Sequence, residues 1–411
     1  MVDQRRFDDQ RWVDSRAAAK HLGISARTLY AYVSRGQIRS VAGDRGRPRL
    51  YAMADLERLR VRRDARRGHG AVAAGALRWG EPVLDSAITA ITPRGPAYRG
   101  QLAVDLAASG ARFENVAELL WSGYLPREPV MWPRVAVPVA QLAKLVPYGA
   151  RPLDVMALVV QSAALVDPHR DDGRPDAIVG RGRKLIPLLA ASLAPEFATA
   201  SVTRALTAGT IAEIAARALG LDDDAAPLLE RALVLLADHE LNASSFAARV
   251  AASTGADPYA CVAAALATVS GPLHGSAAEA IARFADELGG PDQARAAVRA
   301  RRKTGEDLPG FGHPLYPGGD PRAPPLVELA RGSSQRRART LLALVDAAEV
   351  PPSVDVGLAA LAAALGIAPA AASGLFAVAR SAGWLAHVLE QRAQRFLLRP
   401  RARYVGVPVR P

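Results

Sequence analysis

Apolar positions recur at three- and four-residue spacing along most of the chain, and the runs are broken by Gly and Pro rather than by alternating β-branched stretches. Residues three and four apart share one face of a helix, so this spacing predicts amphipathic helices. Residues 211–219 and 225–236 show it most clearly. From about Leu77 onward the pattern predicts a nearly all-α body built of many Ala-rich helices, since Ala lets helices approach closely. Residues 356–379 carry no charge, but Gly357, Gly366, Pro369 and Gly374 interrupt them. They read as two buried helices joined near 366–369, and not as a membrane span.

The first seventy residues follow a different plan. Arg16-Ala17-Ala18-Ala19-Lys20-His21-Leu22 has an apolar face at Ala17, Ala18 and Leu22, with Ser15 or Asp14 as N-cap. Gly23-Ile24-Ser25 reads as a tight turn in which Gly takes positive φ and Ser25 caps the next helix, predicted over residues 26–33 and ending near Gly36. Helix, Gly-containing turn, helix is the helix-turn-helix layout. Its second helix would present Arg27, Thr28 and Tyr30 or Tyr32 to a major groove. Arg45-Gly46-Arg47-Pro48-Arg49-Leu50-Tyr51 reads as a basic hairpin or wing, with Arg47 and Arg49 as further candidate DNA contacts, and residues 55–59 as a following helix. Over residues 12–62 this block resembles the MerR-type winged helix-turn-helix. The alternative is a small helical module used for packing or oligomerisation. Residues 60–75 lack periodicity and read as a linker, which divides the chain into a module at 1–70 and a body at 71–411.

Charge sharpens this division. Residues 1–70 hold 17 Lys and Arg against 8 Asp and Glu, so +9 of the net +12 sits there and residues 71–411 carry only +3. An excess at one end points to a local polyanion-binding module. Nearly all basic residues are Arg, with Lys only at 20, 144, 184 and 303, a habit that composition alone also produces. The single cysteine, Cys261, excludes an intrachain disulfide framework and a Cys-based metal site. The charged N-terminus has no apolar core of a secretory signal, so a reducing, cytoplasmic location is expected.

Three of the seven histidines lie in Gly- or Pro-rich or capped stretches: Ala237-Asp238-His239-Glu240-Leu241-Asn242-Ala243-Ser244-Ser245-Phe246, Gly271-Pro272-Leu273-His274-Gly275, and Gly310-Phe311-Gly312-His313-Pro314-Leu315-Tyr316, the last followed by Asp320-Pro321-Arg322. The last segment, rich in Gly and Pro, is a shaped loop and not plain helix. Upstream stand Tyr98-Arg99-Gly100, Phe113-Glu114-Asn115-Val116-Ala117-Glu118-Leu119-Leu120 and Gly123-Tyr124-Leu125-Pro126. Downstream come Val354-Asp355, Phe376-Ala377-Val378-Ala379-Arg380-Ser381-Ala382-Gly383-Trp384-Leu385-Ala386-His387 and Leu398-Arg399-Pro400-Arg401. Taken singly each has a plain reading: a structural histidine, a solvated helix arginine at Arg380, a helix N-cap at Asp355. The histidines lack HxxxH-type spacing, which argues against a metal site.

In this order, over residues 80–411, the motifs resemble those of the citrate synthase family. The resemblance implies a citrate synthase fold, a large helical domain with a smaller mobile one inserted at roughly residues 276–380. It implies Claisen-type condensation of acetyl-CoA with oxaloacetate and water to citrate and CoA, a step of the tricarboxylic acid cycle, with no metal or other cofactor. The alternatives are 2-methylcitrate synthesis from propionyl-CoA, or a ligand-sensing DNA-binding regulator built on the same fold. The resemblance gives Asp355 as base, His274 as hydrogen-bond donor to the thioester oxygen and His313 as the residue that polarises the ketone. It gives His239, Arg322, Arg380 and Arg399 as substrate-binding, with Arg399 reaching across a homodimer. A thioester α-proton is weakly acidic, so a carboxylate base succeeds only if the enolate oxygen is stabilised as it forms. The planar fork of Arg suits a dicarboxylate. The chain departs from the family after His274 (Ser276-Ala277-Ala278), after His313 (Pro314-Leu315) and after Asp355, where Val356 replaces a usual Phe. The smaller residue is expected to enlarge the acyl or oxo-acid pocket. Arg301-Arg302-Lys303 meets CoA phosphates or forms a solvated charge run.

Overall fold

Asp14 ends a short strand and starts the first helix. In the computed structural model, which describes residues 12–34, 37–41, 49–53, 55–56, 59, 84–133, 139–402, 404 and 406–407, strand β1 (Trp12–Asp14) leads directly into α1 (Ser15–Leu22). The Asp14 carboxylate accepts the Ala17 amide at 2.8 Å, so Asp14 and not Ser15 is the cap. Gly23, at φ 58° and ψ 43°, stops α1 in the left-handed conformation. The Ser25 hydroxyl then accepts the Thr28 amide at 3.2 Å and opens α2 (Ala26–Ser34). Strands β2 (Ser40–Val41) and β3 (Leu50–Ala52) pair antiparallel, Ser40 opposite Tyr51, and β1 pairs with the other edge of β3. This is the expected hairpin; its connection, with Arg47, lies outside the described residues. Ala18, Leu22, Leu29, Ile38, Tyr51 and Leu56 form the core of this unit. Arg39 fastens the segment after α2 to the helical residues that follow β3: its amide and guanidinium both donate to the Asp55 carboxylate, the latter at 2.8 and 3.0 Å.

Contacts divide the chain into two compact units, residues 1–85 with 401–411, and residues 86–400. The larger begins with a small antiparallel sheet, β4 (Thr89–Thr92), β5 (Gly95–Tyr98) and β6 (Gln101–Leu102), which helical periodicity did not announce. Helices follow: α3 (Ala103–Ala108), α4 (Phe113–Ser122), α5 (Val139–Ala143), α6 (Pro152–Val166), α7 (Pro175–Ala191), α8 (Thr199–Ala205), α9 (Ile211–Ala218) and α10 (Ala226–Leu236). Then come α11 (Ala243–Ser253), α12 (Pro258–Val269), α13 (Ala277–Glu287), α14 (Ala294–Thr304), α15 (Ala323–Ala330), α16 (Arg336–Ala347), α17 (Val354–Ala364) and α18 (Pro369–Gln394). The break at Gly366, φ 72°, separates α17 from α18 as expected. No helix among the described residues is long and apolar enough to cross a membrane.

The 26-residue α18 is the axis of this unit. It packs on α4, α6, α7, α10, α11, α12, α13 and α17, and its residues from Ala371 to Val388 are buried without a gap. Such a helix needs small residues where neighbours press closest. At Gly383 an added Cβ would stand 2.3 Å from the Asp238 Oδ1 and 2.6 Å from the Ala237 carbonyl oxygen. Beyond Arg380 the polar ends of α18 are also met. Buried Arg249 of α11 donates to Gln391, Glu390 and Gln394 at 3.0, 2.6 and 2.7 Å. Helices α13 to α17 pack largely on one another, with α15 and α16 against α17 and α14 against α16.

Candidate active site

Six of the seven residues expected in the site converge in the larger unit. His239 lies in the turn between α10 and α11, which Tyr98 of β5 holds: its hydroxyl lies 3.1 Å from the carbonyl oxygens of Val234 and Leu235 and accepts the Asp238 amide at 3.3 Å. His274 sits in the loop before α13, and His313 and Arg322 in the loop before α15. That loop is tied to the entry of α17. The Gly312 amide donates to the Pro351 carbonyl at 2.8 Å and the Ser353 amide to the Gly310 carbonyl at 2.9 Å. Gly310 has φ 81°, which favours glycine, and an added Cβ there would meet Ile281 at 2.4 Å and Val356 at 2.7 Å.

The ring centroids of His239 and His313 are 5.5 Å apart. His239 Nε2 is 2.9 Å from the Tyr316 hydroxyl. Leu315 donates its amide to His313 Nδ1 at 3.2 Å, which leaves the ring proton of neutral His313 on Nε2. His274 Nε2 is 2.8 Å from the Ser244 hydroxyl, which also accepts the Trp384 indole N–H at 3.0 Å. The Asn242 carbonyl oxygen lies 2.9 Å from the same hydroxyl and already accepts the amides of Ser244 and Ser245. The single Ser244 proton serves either the Asn242 oxygen or His274 Nε2, and when it points to His274 that ring carries its own proton on Nδ1.

Two buried guanidinium groups dominate the electrostatics. Arg322 forms a bidentate pair with Asp320, at 3.0 and 2.8 Å. Burial opposes its charge, but Asp320 outweighs burial and raises the Arg322 pKa. Asp320 also accepts the Val354 amide at 3.0 Å and so joins Arg322 to the N-terminus of α17. Arg380 is not the solvated helix charge its sequence context allows: it is 2% exposed. It donates to the Leu236 carbonyl at 2.8 Å, and its guanidinium lies 4.7 Å from the centre of the Phe376 ring. Burial pushes its pKa down to about 10, against the pull of Asp238.

The imidazoles respond to this environment. Burial first, and Arg380 second, push His274 down to about 4. Burial together with Arg322 and Arg380 holds His239 well below its ordinary value. His313 is lowered by burial and by Arg322. Asp355 keeps some exposed surface, yet dense surroundings raise its pKa, with Arg322 and Arg380 opposing. Ser353 occupies the N-cap position of α17 without a side-chain cap hydrogen bond, and Asp355 is the second residue of the helix and not its cap. Val356, one residue further and about 100° around the helix, is fully buried and packs with Ile281 against Gly310. It is part of the apolar core beside that loop.

Arg399 stands apart. It lies exposed beyond the end of α18, and the contacts that gather the other six do not include it. Arg301 and Arg302 end α14 and pair with Glu306 and Glu349. Among the described residues no group of His, Cys, Asp and Glu is placed to hold a metal. Residues that sequence reasoning did not single out are Ser244, Tyr316, Asp320, Phe376 and Trp384. Phe376, Arg380 and Trp384 recur at four-residue spacing, a signal that they share a face of α18.

In the smaller unit, Arg27, Thr28 and Tyr30 are exposed on α2, whereas Leu29 between them is buried in the core. Arg49 is exposed at the root of the hairpin, and both Tyr30 and Arg49 act electrostatically on Tyr51 of β3. A family model described as a helix-turn-helix domain matches residues 12–63.

The model described as citrate synthase, C-terminal domain, matches residues 76–401. The chain belongs to the citrate synthase family. It is 31% identical over 328 residues to citrate synthase 2 of Bacillus subtilis (strain 168), covering 74% of this chain and 88% of that protein. It is 30% identical over 362 residues to 2-methylcitrate synthase of Mycobacterium tuberculosis (strain ATCC 25618 / H37Rv), covering 80% and 89%. Among solved structures it resembles the ternary complex of carboxymethyl coenzyme A and oxaloacetate with citrate synthase from Thermoplasma acidophilum. The TM-score there is 0.69 at 26% identity, with 80% of this chain and 95% of that chain covered.

The lowered histidines and raised aspartate set the expected pH dependence. A carboxylate takes a proton only when ionised, so any activity that depends on Asp355 falls as pH drops through its raised pKa, while the three lowered imidazoles are neutral near pH 7. The turnover profile should show its acid limb from a carboxyl and no inflection from an imidazole of ordinary pKa. Histidine NMR titration checks this: His274, assigned with a His274→Asn spectrum, should stay neutral down to about pH 5, and a midpoint near the ordinary value would overturn its neutral role.

Proposed function

We propose that this citrate synthase family member condenses acetyl-CoA with oxaloacetate and water to give citrate and CoA. The convergence of Asp355 with neutral histidines beneath two buried arginines carries this proposal. Asp355 takes a proton from the acyl methyl group, and His274 donates a hydrogen bond through Nδ1 to the thioester oxygen, where negative charge develops. His313 donates through Nε2–H to the ketone oxygen of oxaloacetate. The enolate carbon then attacks the ketone carbon, and the new alkoxide gains a proton. Water cleaves the acyl–sulfur bond of the citryl thioester and CoA leaves as its thiol. Arg322, Arg380 and His239 hold the dicarboxylate. Acetyl-CoA is a substrate here and CoA a product, and no step requires a further cofactor.

Thiol release from acetyl-CoA, with and without oxaloacetate, tests the reaction. Release should depend on oxaloacetate, and Asp355→Asn should lower kcat by about 100-fold or more while leaving oxaloacetate binding largely intact. Near-normal turnover by that variant would exclude Asp355 as the base. A parallel assay with propionyl-CoA decides between citrate and 2-methylcitrate synthesis, because one methylene discriminates by only about 1–3 kcal/mol.

Arg399, exposed and remote from the gathered residues, suits a role in the site of a second subunit. Mixing inactive Arg399→Ala and Asp355→Asn protomers should then restore activity: each mixed dimer would hold one complete site, giving about a quarter of the wild-type rate. No recovery on subunit exchange would place Arg399 outside the partner's site.

The smaller unit supports a second role, binding to double-stranded DNA through Arg27, Thr28, Tyr30 and Arg49, with Arg47 in the same basic hairpin sequence. Its capped helix-turn-helix, with Arg27, Thr28, Tyr30 and Arg49 exposed, is the observation that favours it. Removing residues 1–70 should leave turnover unchanged and abolish DNA binding that weakens steeply with salt in the full chain. Equal DNA binding by the truncated protein would refute this assignment.

A further inference from the structure

Tyr316 touches three of the proposed oxo-acid residues at once. Its hydroxyl is 2.9 Å from His239 Nε2. Its ring centre lies 5.1 Å from that of His313 and 5.6 Å from that of His239. The Arg322 guanidinium lies 5.9 Å from its ring centre. The side chain is buried, at 4% exposure, and stands three residues after His313 on the same loop.

A buried hydroxyl proton needs an acceptor. His239 is neutral and offers one ring nitrogen as acceptor and the other as donor. With Tyr316 donating to Nε2, the imidazole proton is held on Nδ1, the nitrogen that Tyr316 does not engage and that would donate to an anionic substrate. The opposite arrangement would send Nε2–H to the tyrosine oxygen and turn a lone pair toward a carboxylate. Burial raises the Tyr316 pKa to about 12, so the hydroxyl keeps its proton across the working range.

We propose that Tyr316 is a positioning residue for the oxo-acid substrate: its hydroxyl sets the tautomer of His239, and its ring is the wall on which His313 and Arg322 rest. The proposal rests on the citrate synthase reading and goes beyond it, because it assigns oxaloacetate recognition to a side chain that touches the substrate only through others.

Tyr316→Phe keeps the ring and removes the hydroxyl. Calorimetric binding of oxaloacetate in the absence of acyl-CoA, with the full chain, should weaken about tenfold, in line with loss of one buried hydrogen bond. KM for oxaloacetate should rise in parallel, while KM for acyl-CoA, kcat and the melting temperature stay near wild type. Tyr316→Leu, which also removes the wall, should lower kcat as well. Long-range 1H–15N spectra of histidine-labelled wild type should show His239 protonated on Nδ1, an outcome independent of how either variant folds. Unchanged oxaloacetate affinity in Tyr316→Phe, equal shifts in both KM values, or an Nε2-protonated His239 would overturn the proposal. Wild-type protein that neither binds oxaloacetate nor releases CoA would instead overturn the citrate synthase reading on which it rests.

Discussion

One polar stripe on a buried helix holds the larger unit and its site together. Phe376, Arg380, Trp384 and His387 follow one another down α18 at helical spacing, and all face the stretch from Leu236 to Ser244 or what it supports. Arg380 binds the Leu236 carbonyl, Trp384 binds Ser244, and His387 lies 3.4 Å from Asp238. Gly383, between them, lets the Ala237 carbonyl come close enough to accept its amide at 3.1 Å. That stretch carries His239 and, through Ser244, steadies His274. Packing of the core and placement of the chemistry are thus one contact. A larger residue at 383 would press on both.

Burying two arginines beside three histidines is costly unless their charge is answered. Asp320 answers Arg322 in full, with two hydrogen bonds. Arg380 has a carbonyl, an aromatic face and the more distant charge of Asp238. Its lowered pKa follows from burial that Asp238 offsets only in part. The same field keeps the imidazoles neutral. A neutral imidazole donates a hydrogen bond without surrendering a proton, which is what stabilising an enolate oxygen requires.

The two units are built on different economies of size. The smaller has a core of a few side chains drawn from two short helices and a three-stranded sheet, and it depends on caps and on the Arg39–Asp55 pair. The larger has so many helices that Ala suffices for much of its packing. Arg27 and Arg49 of the first are exposed to water, whereas Arg249, Arg322 and Arg380 of the second are buried.

Local instructions were legible in the chain. Asp14, Gly23 and Ser25 mark the ends of α1 and the start of α2 within a few residues of one another, the Gly366–Pro369 break separates α17 from α18, and the ordered motifs named the fold family and six residues that meet in the site. Caps, breaks and periodicity act over one or two turns, so they can be read without knowing what packs where. The tertiary structure alone decided that Val356 turns into the core while Asp355 stays at the site, that Arg380 is buried, that residues 89–102 form a sheet, and that Tyr316 reaches His239. The last pair is 77 residues apart. Such a bond forms only after α18 and its neighbours have brought two loops together, and no periodicity along the chain encodes a distance across it.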